Sequence, residues 1–187
     1  MTPMLGIMAS QISGHLWQPE GAYDSLATVT VGATAVANIE FAGIPSGYKH
    51  LQIRYAAIPS TAAAIYRIRG QFNSDTGNNY ATHLLYGGGA SAAAAAASTT
   101  NQFTAGSSVL GITANQVVVG IIDILDYANT NKYKTARILA GGDFNGSGEV
   151  DLNSGLWMNT AAITSIKLYF DTANLTQYSS FALYGVK

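Results

Sequence analysis

Apolar residues in this chain return at every second position. Leu51, Ile53 and Tyr55 alternate with His50, Gln52 and Arg54. Tyr66 and Ile68 alternate with Arg67 and Arg69, and Ile166, Leu168 and Phe170 with Ser165, Lys167 and Tyr169. Phe181 and Leu183 alternate with Ala182 and Tyr184. A period of two sends successive side chains to opposite faces of an extended chain, so each stretch predicts a strand. Further strands are expected at Leu26–Val31, Val36–Phe41, Tyr80–Tyr86 and Thr135–Ala140. The run VVVGIIDIL, Val117 to Leu125, is almost continuously apolar. Its β-branched content disfavours helix and predicts a central strand covered on both faces.

Turn formers separate these runs. Gly32-Ala33, Pro45-Ser46-Gly47, Asp75-Thr76-Gly77-Asn78-Asn79, Asn129-Thr130-Asn131 and Asn145-Gly146-Ser147-Gly148 tolerate positive φ or form Asx turns. Short strands with turns between them predict an all-β chain: an antiparallel β-sandwich, for which a jelly roll is one available form. A single domain is expected over 23–187, preceded by an N-terminal arm over 1–22. The arm is apolar at Leu5, Ile7, Met8, Ile12, Leu16 and Trp17. It packs either on its own domain or on a neighbouring subunit. No Lys or Arg precedes Leu5–Ala9, so a signal peptide is not expected. One segment is low-complexity: the six alanines Ala92–Ala97, between Ala90-Ser91 and Ser98-Thr99-Thr100. Ala prefers helix, but so short a run does not nucleate one alone, which predicts a loop or a helical turn.

Ionic side chains are scarce. Charged residues are 10% of the 187, with a formal net charge of -1, against roughly 25% in ordinary soluble proteins. An apolar share of 48% excludes a disordered chain, and the absence of cysteine excludes a disulfide-stapled miniprotein. No long apolar run suits a membrane span, and too few cations are present for a nucleic-acid groove. Either hydroxyls and amides hydrate the surface, or neighbouring subunits cover it, since interface cores are depleted of charge. The mean hydropathy of +0.17 favours coverage, because a short chain buries a smaller share of its surface.

Chemical motifs are absent. His15, His50 and His83 lack metal-ligand spacing, and no nucleophile elbow or phosphate-binding glycine loop occurs. Asp123 and Asp126 lie three apart, which on a strand sends them to opposite faces. Pairing with Arg137 or Lys134 on an adjoining strand, or a strand-end cap, is expected instead. The stretch Asp143 to Glu149 starts like a calcium loop, but Ser154 stands where the pattern needs Glu. No catalytic, cofactor-binding or metal-ligating residue is therefore assigned, and the chain is expected not to be an enzyme. Arg54, Arg67 and Arg69 would share one solvent-facing stripe if their strands paired, making them interface candidates.

Several blocks occur together: YDSLATVTVG from Tyr23, IPSGYKHLQIR from Ile44, FNSDTGNNYATHLLYG from Phe72, DILDYANTNKYKTARILAG from Asp123, NGSGEVDLNSGLW from Asn145, and QYSSFALYGVK at the end. Their order resembles small virion structural proteins of tailed bacteriophages, particularly those of cyanobacterial and other aquatic hosts. The resemblance implies a capsid decoration (cement) protein that stabilises the head through subunit contacts. Its partners would be copies of itself, as a dimer or trimer, and the major capsid protein or other virion proteins. It implies a place on the virion, at the capsid surface or alternatively the tail, with no cofactor, nucleic acid or membrane partner. An alternative is a tail or fibre module whose Tyr80, Tyr86 and Tyr127 meet a host glycan. A depolymerase would need paired carboxylates on one concave face.

Overall fold

A computed structural model of the chain describes residues 21–61, 63–112, 116–144 and 147–187. The arm residues Leu5, Ile7, Met8, Ile12, Leu16 and Trp17 lie outside the described residues. The period-two stretches become strands. They are β1 (Tyr23–Thr30), β2 (Ile39–Ala42), β3 (His50–Ala57), β4 (Ala63–Phe72), β5 (Tyr80–Gly88) and β6 (Ser91–Thr100). Beyond these come β7 (Phe103–Ile112), β8 (Val118–Leu125), β9 (Lys134–Asp143), β10 (Gly148–Trp157), β11 (Ser165–Phe170) and β12 (Ser180–Val186).

They form two antiparallel sheets packed as a β-sandwich. The larger has the order β1-β12-β3-β8-β9-β10-β5-β6, and the smaller β2-β11-β4-β7. The chain passes from one sheet to the other at every connection except β5–β6, β8–β9 and β9–β10. Two hairpins, β5–β6 and β9–β10, stay in the larger sheet and widen it beyond β8.

The core lies between the sheets. Leu51, Ile53, Tyr55, Ile122, Ile138, Phe181 and Leu183 face it from the larger sheet, and Phe41, Tyr66, Ile68, Phe72, Phe103, Ile166 and Leu168 from the smaller. Tyr55 enters where two glycines make room. A Cβ on Gly120 would lie 2.4 Å from its hydroxyl, and one on Gly106 2.2 Å. The hydroxyl donates to the Ala105 carbonyl at 2.9 Å, so this buried polar group is satisfied. Phe72, Tyr80, Phe103 and Trp157 form an aromatic cluster, with the Phe72 and Phe103 rings stacked at 4.8 Å. The Trp157 indole donates to Asp75 at 2.8 Å, which ties β10 to the turn after β4.

Three expectations need correction. The alanine run is neither loop nor helical turn; it is β6, paired to β5 from Ser91 to Thr100. The register with β5 supplies backbone bonds that an isolated six-residue helix lacks. VVVGIIDIL does supply a central strand, but β8 is covered on one face alone: Ile122 and Ile124 are buried while Val119 and Ile121 are exposed. The smaller sheet packs on one side of the larger, and among the described residues no second layer of strands packs on the other side. Arg54, Arg67 and Arg69 do not share a stripe, because β3 belongs to the larger sheet and β4 to the smaller.

Gly70 gives a direct test of packing between the sheets. A Cβ there would lie 2.2 Å from the Phe103 ring. Gly70→Ala is expected to cost about 1–3 kcal/mol through overpacking, lowering Tm by about 2–4 °C for each kcal/mol. In a Phe103→Leu background the same substitution should cost clearly less. Thermal melts of the four variants measure this coupling, and equal costs in both backgrounds would remove the ring as the obstacle.

Candidate interaction surface

The uncovered side of the larger sheet is where the strands place their unusual residues. Across six strands, Arg54, Ile121, Leu139, Leu152, Leu85 and Ala94 stand each opposite the next. A second row runs Val119, Gly141, Val150, Gly87 and Ala92. All point away from the core, because residues directly opposite share a face of the pleat. Val150 is 64% exposed, Leu139 54% and Leu152 52%. With Leu85, Val119 and Ile121 they leave on the order of 500 Å² of apolar surface open, at the upper end of what a monomer usually shows.

The face is grooved. Gly141 carries no side chain, so the floor drops between Val119 and Val150, and Gly87 continues the low ground beyond Val150, leaving an open groove of about 910 Å³. A polar row runs along one side of the apolar rows: Gln52, Asp123, Arg137, Ser154 and His83, again opposite one another in register. Gln52 donates to Asp123 at 2.8 Å, and Arg54 donates to Gln52 at 2.8 Å. The Arg54 guanidinium also lies over the rings of Tyr184 and Tyr23, at 5.3 and 5.7 Å. An apolar centre with a polar border is the anatomy of a protein–protein interface.

Sequence reasoning missed much of this face because it found no strand over 148–157. In β10 the usual polarity is reversed. Glu149, Asp151 and Asn153 are buried, whereas Val150 and Leu152 are exposed. Asn153 donates to Asp151 at 2.5 Å, so the inward polar residues support one another. Burial, together with the nearby Asp151 charge, pushes the Tyr55 hydroxyl well above its ordinary range and keeps it protonated. The signal was present as alternation in GEVDLNSGLW, but its parity cannot be read without knowing which face Trp157 takes.

Among the sequence candidates, Arg54 alone of the three arginines reaches this face. Arg69 is turned to the smaller sheet's own residues, bonding Thr104 at 2.7 Å and Asp171 at 3.3 Å, and the Arg67 amide bonds the same aspartate. Asp123 does stand opposite Arg137. Asp126 does not pair with Lys134; it meets Lys132, Lys49 at 3.3 Å and His50 at 3.6 Å. Lys134 is buried and bonds the Lys132 and Thr160 carbonyls at 2.9 and 3.0 Å. Tyr80 and Tyr127 are fully buried, so neither can stack on a glycan; Tyr86 is half-buried. His50 and His83 lie on different strands, and no group of three His, Cys, Asp or Glu suits a metal ion among the described residues. The chain matches no protein-family model, and no curated protein matches it.

The Asp126 turn yields a pH prediction. Hydrogen bonds from Lys132 and then Lys49 hold its carboxyl below the ordinary carboxylate range. A depressed folded-state pKa contributes stability that is complete above that range and is lost as pH falls through it. Asp126→Asn should therefore lower the urea midpoint at pH 7 while weakening its fall towards pH 3. Parallel midpoint-against-pH profiles for the variant and the parent would contradict the Asp126 assignment.

Proposed function

We propose that the chain is a virion structural protein of a tailed phage, and specifically a capsid decoration protein that docks through the outer face of its larger sheet. The observation that carries this reading is the open apolar face itself. Exposed apolar area is a standing cost in water, and burying it returns roughly 25 cal/mol for each Å². A face with a polar rim is built to be covered, and a phage head presents many identical sites on which to cover it. Specific contacts typically bury about 1,600 Å² in total, and repetition around a closed shell would let modest contacts resist internal pressure.

Two further features support the reading. Without the β5–β6 and β9–β10 hairpins, the sheets reduce to β1-β12-β3-β8 and β2-β11-β4-β7. We read that order as a jelly roll, an architecture used in viral capsid and lectin domains. The inserted hairpins then carry Leu85, Leu139, Val150 and Leu152, so the additions to the basic sandwich are what make the face. The resemblance of the motif order to that of small phage virion proteins is the second support.

Undecorated heads mixed with purified protein provide the test. Leu139→Asp with Leu152→Lys should leave folding intact, since both side chains are half exposed and the new charges, directly opposite across the ladder, are of opposite sign. It should weaken head binding at least about tenfold, given the worth of two buried leucines. Undiminished binding by the double variant, with Tm unchanged, overturns docking by this face. Deleting residues 1–17 tests the arm separately, and retained binding by that variant would take the arm out of the anchor.

A further inference from the structure

The outer edge of β6 carries little protection of its own. β6 is the last strand of the larger sheet, bonded to β5 on one side only. Its ladder to β5 is regular from Ser91 to Ala97, about 24 Å at strand rise, and is broken by a bulge before Thr100, where Thr99 has φ 55°. Nine of its ten residues are exposed and Thr100 is half-buried, so the strand covers almost nothing with its own side chains. Natural edges are usually guarded by Lys, Pro, a twist or a covering loop. This one has no charged residue and no Pro. Alanine is also a poor strand former. Among the described residues this Ala strand has both faces bare and one ladder, to β5, and a second ladder on its free edge would hold it from both sides.

We propose that β6 pairs antiparallel with β6 of a second copy of this chain, joining two larger sheets edge to edge. Three observations favour a second copy over a foreign strand. Strand addition usually draws its specificity from pockets for alternate side chains, and a run of Ala offers no such pockets; what it presents is backbone and a close approach. An identical Ala edge is the complement that places no large side chain in that approach. The copies carry a net charge of -1 each, so mutual repulsion is small. The apolar row also continues to this edge, from Leu152 through Leu85 to Ala94. A two-fold axis perpendicular to the sheet puts both apolar faces on the same side, and the open rows join across the axis. This pairing does not depend on the decoration reading, because it concerns the strand edge and not the outer face.

Symmetry makes the test sharp. In an antiparallel pair related by such an axis, a single residue faces its own copy, and its neighbours on the strand face residues other than themselves. The chain has no cysteine, so single substitutions Ala92→Cys through Ala97→Cys can each be oxidised as the only thiol. The expected result is a disulfide-linked dimer that peaks at one position and falls off on both sides, from a protein that sediments at twice the chain mass. Ala94→Lys should return it to the monomer mass. Hydrogen exchange provides an independent readout: alternate β6 amides protected in the dimer should lose protection on dilution. Monomer mass at high concentration overturns the proposal. So does a flat crosslinking profile, or a peak at Leu139→Cys with none along β6, which would mean that copies meet face to face. Protection of β6 only on phage heads would assign the edge to a shell strand and equally overturn pairing with a second copy.

Discussion

The parity of β10 decides which face of the larger sheet is apolar. Trp157 ends this strand, fully buried in the aromatic cluster and bonded to Asp75. Side chains alternate strictly along a strand, so placing Trp157 inward places Gly155, Asn153, Asp151 and Glu149 inward as well. Val150 and Leu152 are then forced outward. A slip of one residue would reverse every position. It would bury Val150 and Leu152 but expel the indole, whose burial is worth roughly 4–6 kcal/mol at ordinary area coefficients. Gly155 adds to the preference, because the Phe103 side chain packs where its Cβ would be, with atoms 3.1 Å from that point. Phe103 thus needs a small residue at that inward position. The register holds through ladders to β9 and β5 on both sides. The open apolar face is therefore a consequence of how the core is anchored at one end of the strand.

Much of the sandwich was legible because most of its strands obey the ordinary rule, apolar in and polar out. β3, β11 and β12 could be read from alternation alone. β7 and β10 could not, and for physical reasons. β10 carries its carboxylates inward, and Phe103-Thr104-Ala105-Gly106 gives β7 too little contrast between faces. β6 was misread because Ala's intrinsic preference is helical, whereas its conformation here is set by pairing with β5. For β8, an apolar run shows that both faces avoid water without showing what covers them. In this chain one cover is the smaller sheet, and the other is absent from the chain's own described layers. Arg54, Arg67 and Arg69 illustrate a different gap. Their spacing could not reveal that the chain changes sheets between β3 and β4, so residues that read as one group lie on opposite sides of the sandwich.

The scarcity of ionic groups takes on a clearer meaning once their positions are known. Several are turned to the protein itself. Lys49 and Lys132 converge on Asp126, Lys187 meets Asp24, Arg69 meets Asp171, and Lys134 is buried against carbonyls. These pairs fix turns and chain ends, and leave few charges for the open face. There, the charges are Asp123 and Arg137 in the polar row, Asp143 at the end of the groove, and Arg54, which is drawn over Tyr23 and Tyr184. A solvent-adapted surface would disperse charges through the apolar rows, which is how soluble proteins keep patches small.

The outer face and the β6 edge come from the same two additions to the sandwich. The β9–β10 hairpin extends the sheet past β8, and β5–β6 extends it again to a bare edge. Lengthening a sheet normally creates two liabilities together, more face to cover and an edge to protect. Within the described residues the face lacks a layer, and the edge from Ser91 to Ala97 lacks charge, Pro and bulge, the one irregularity lying beyond it at Thr99. Edge pairing is directional and backbone-driven, so it would set the spacing and orientation of two copies. Face burial is non-directional and area-driven, so it would provide the strength of docking. In the proposed arrangement the first interaction fixes the geometry that the second needs, because two faces on one side of a joined sheet can meet the same surface at once. Docking by such a pair gains from effective concentration, and each half needs only a modest contact.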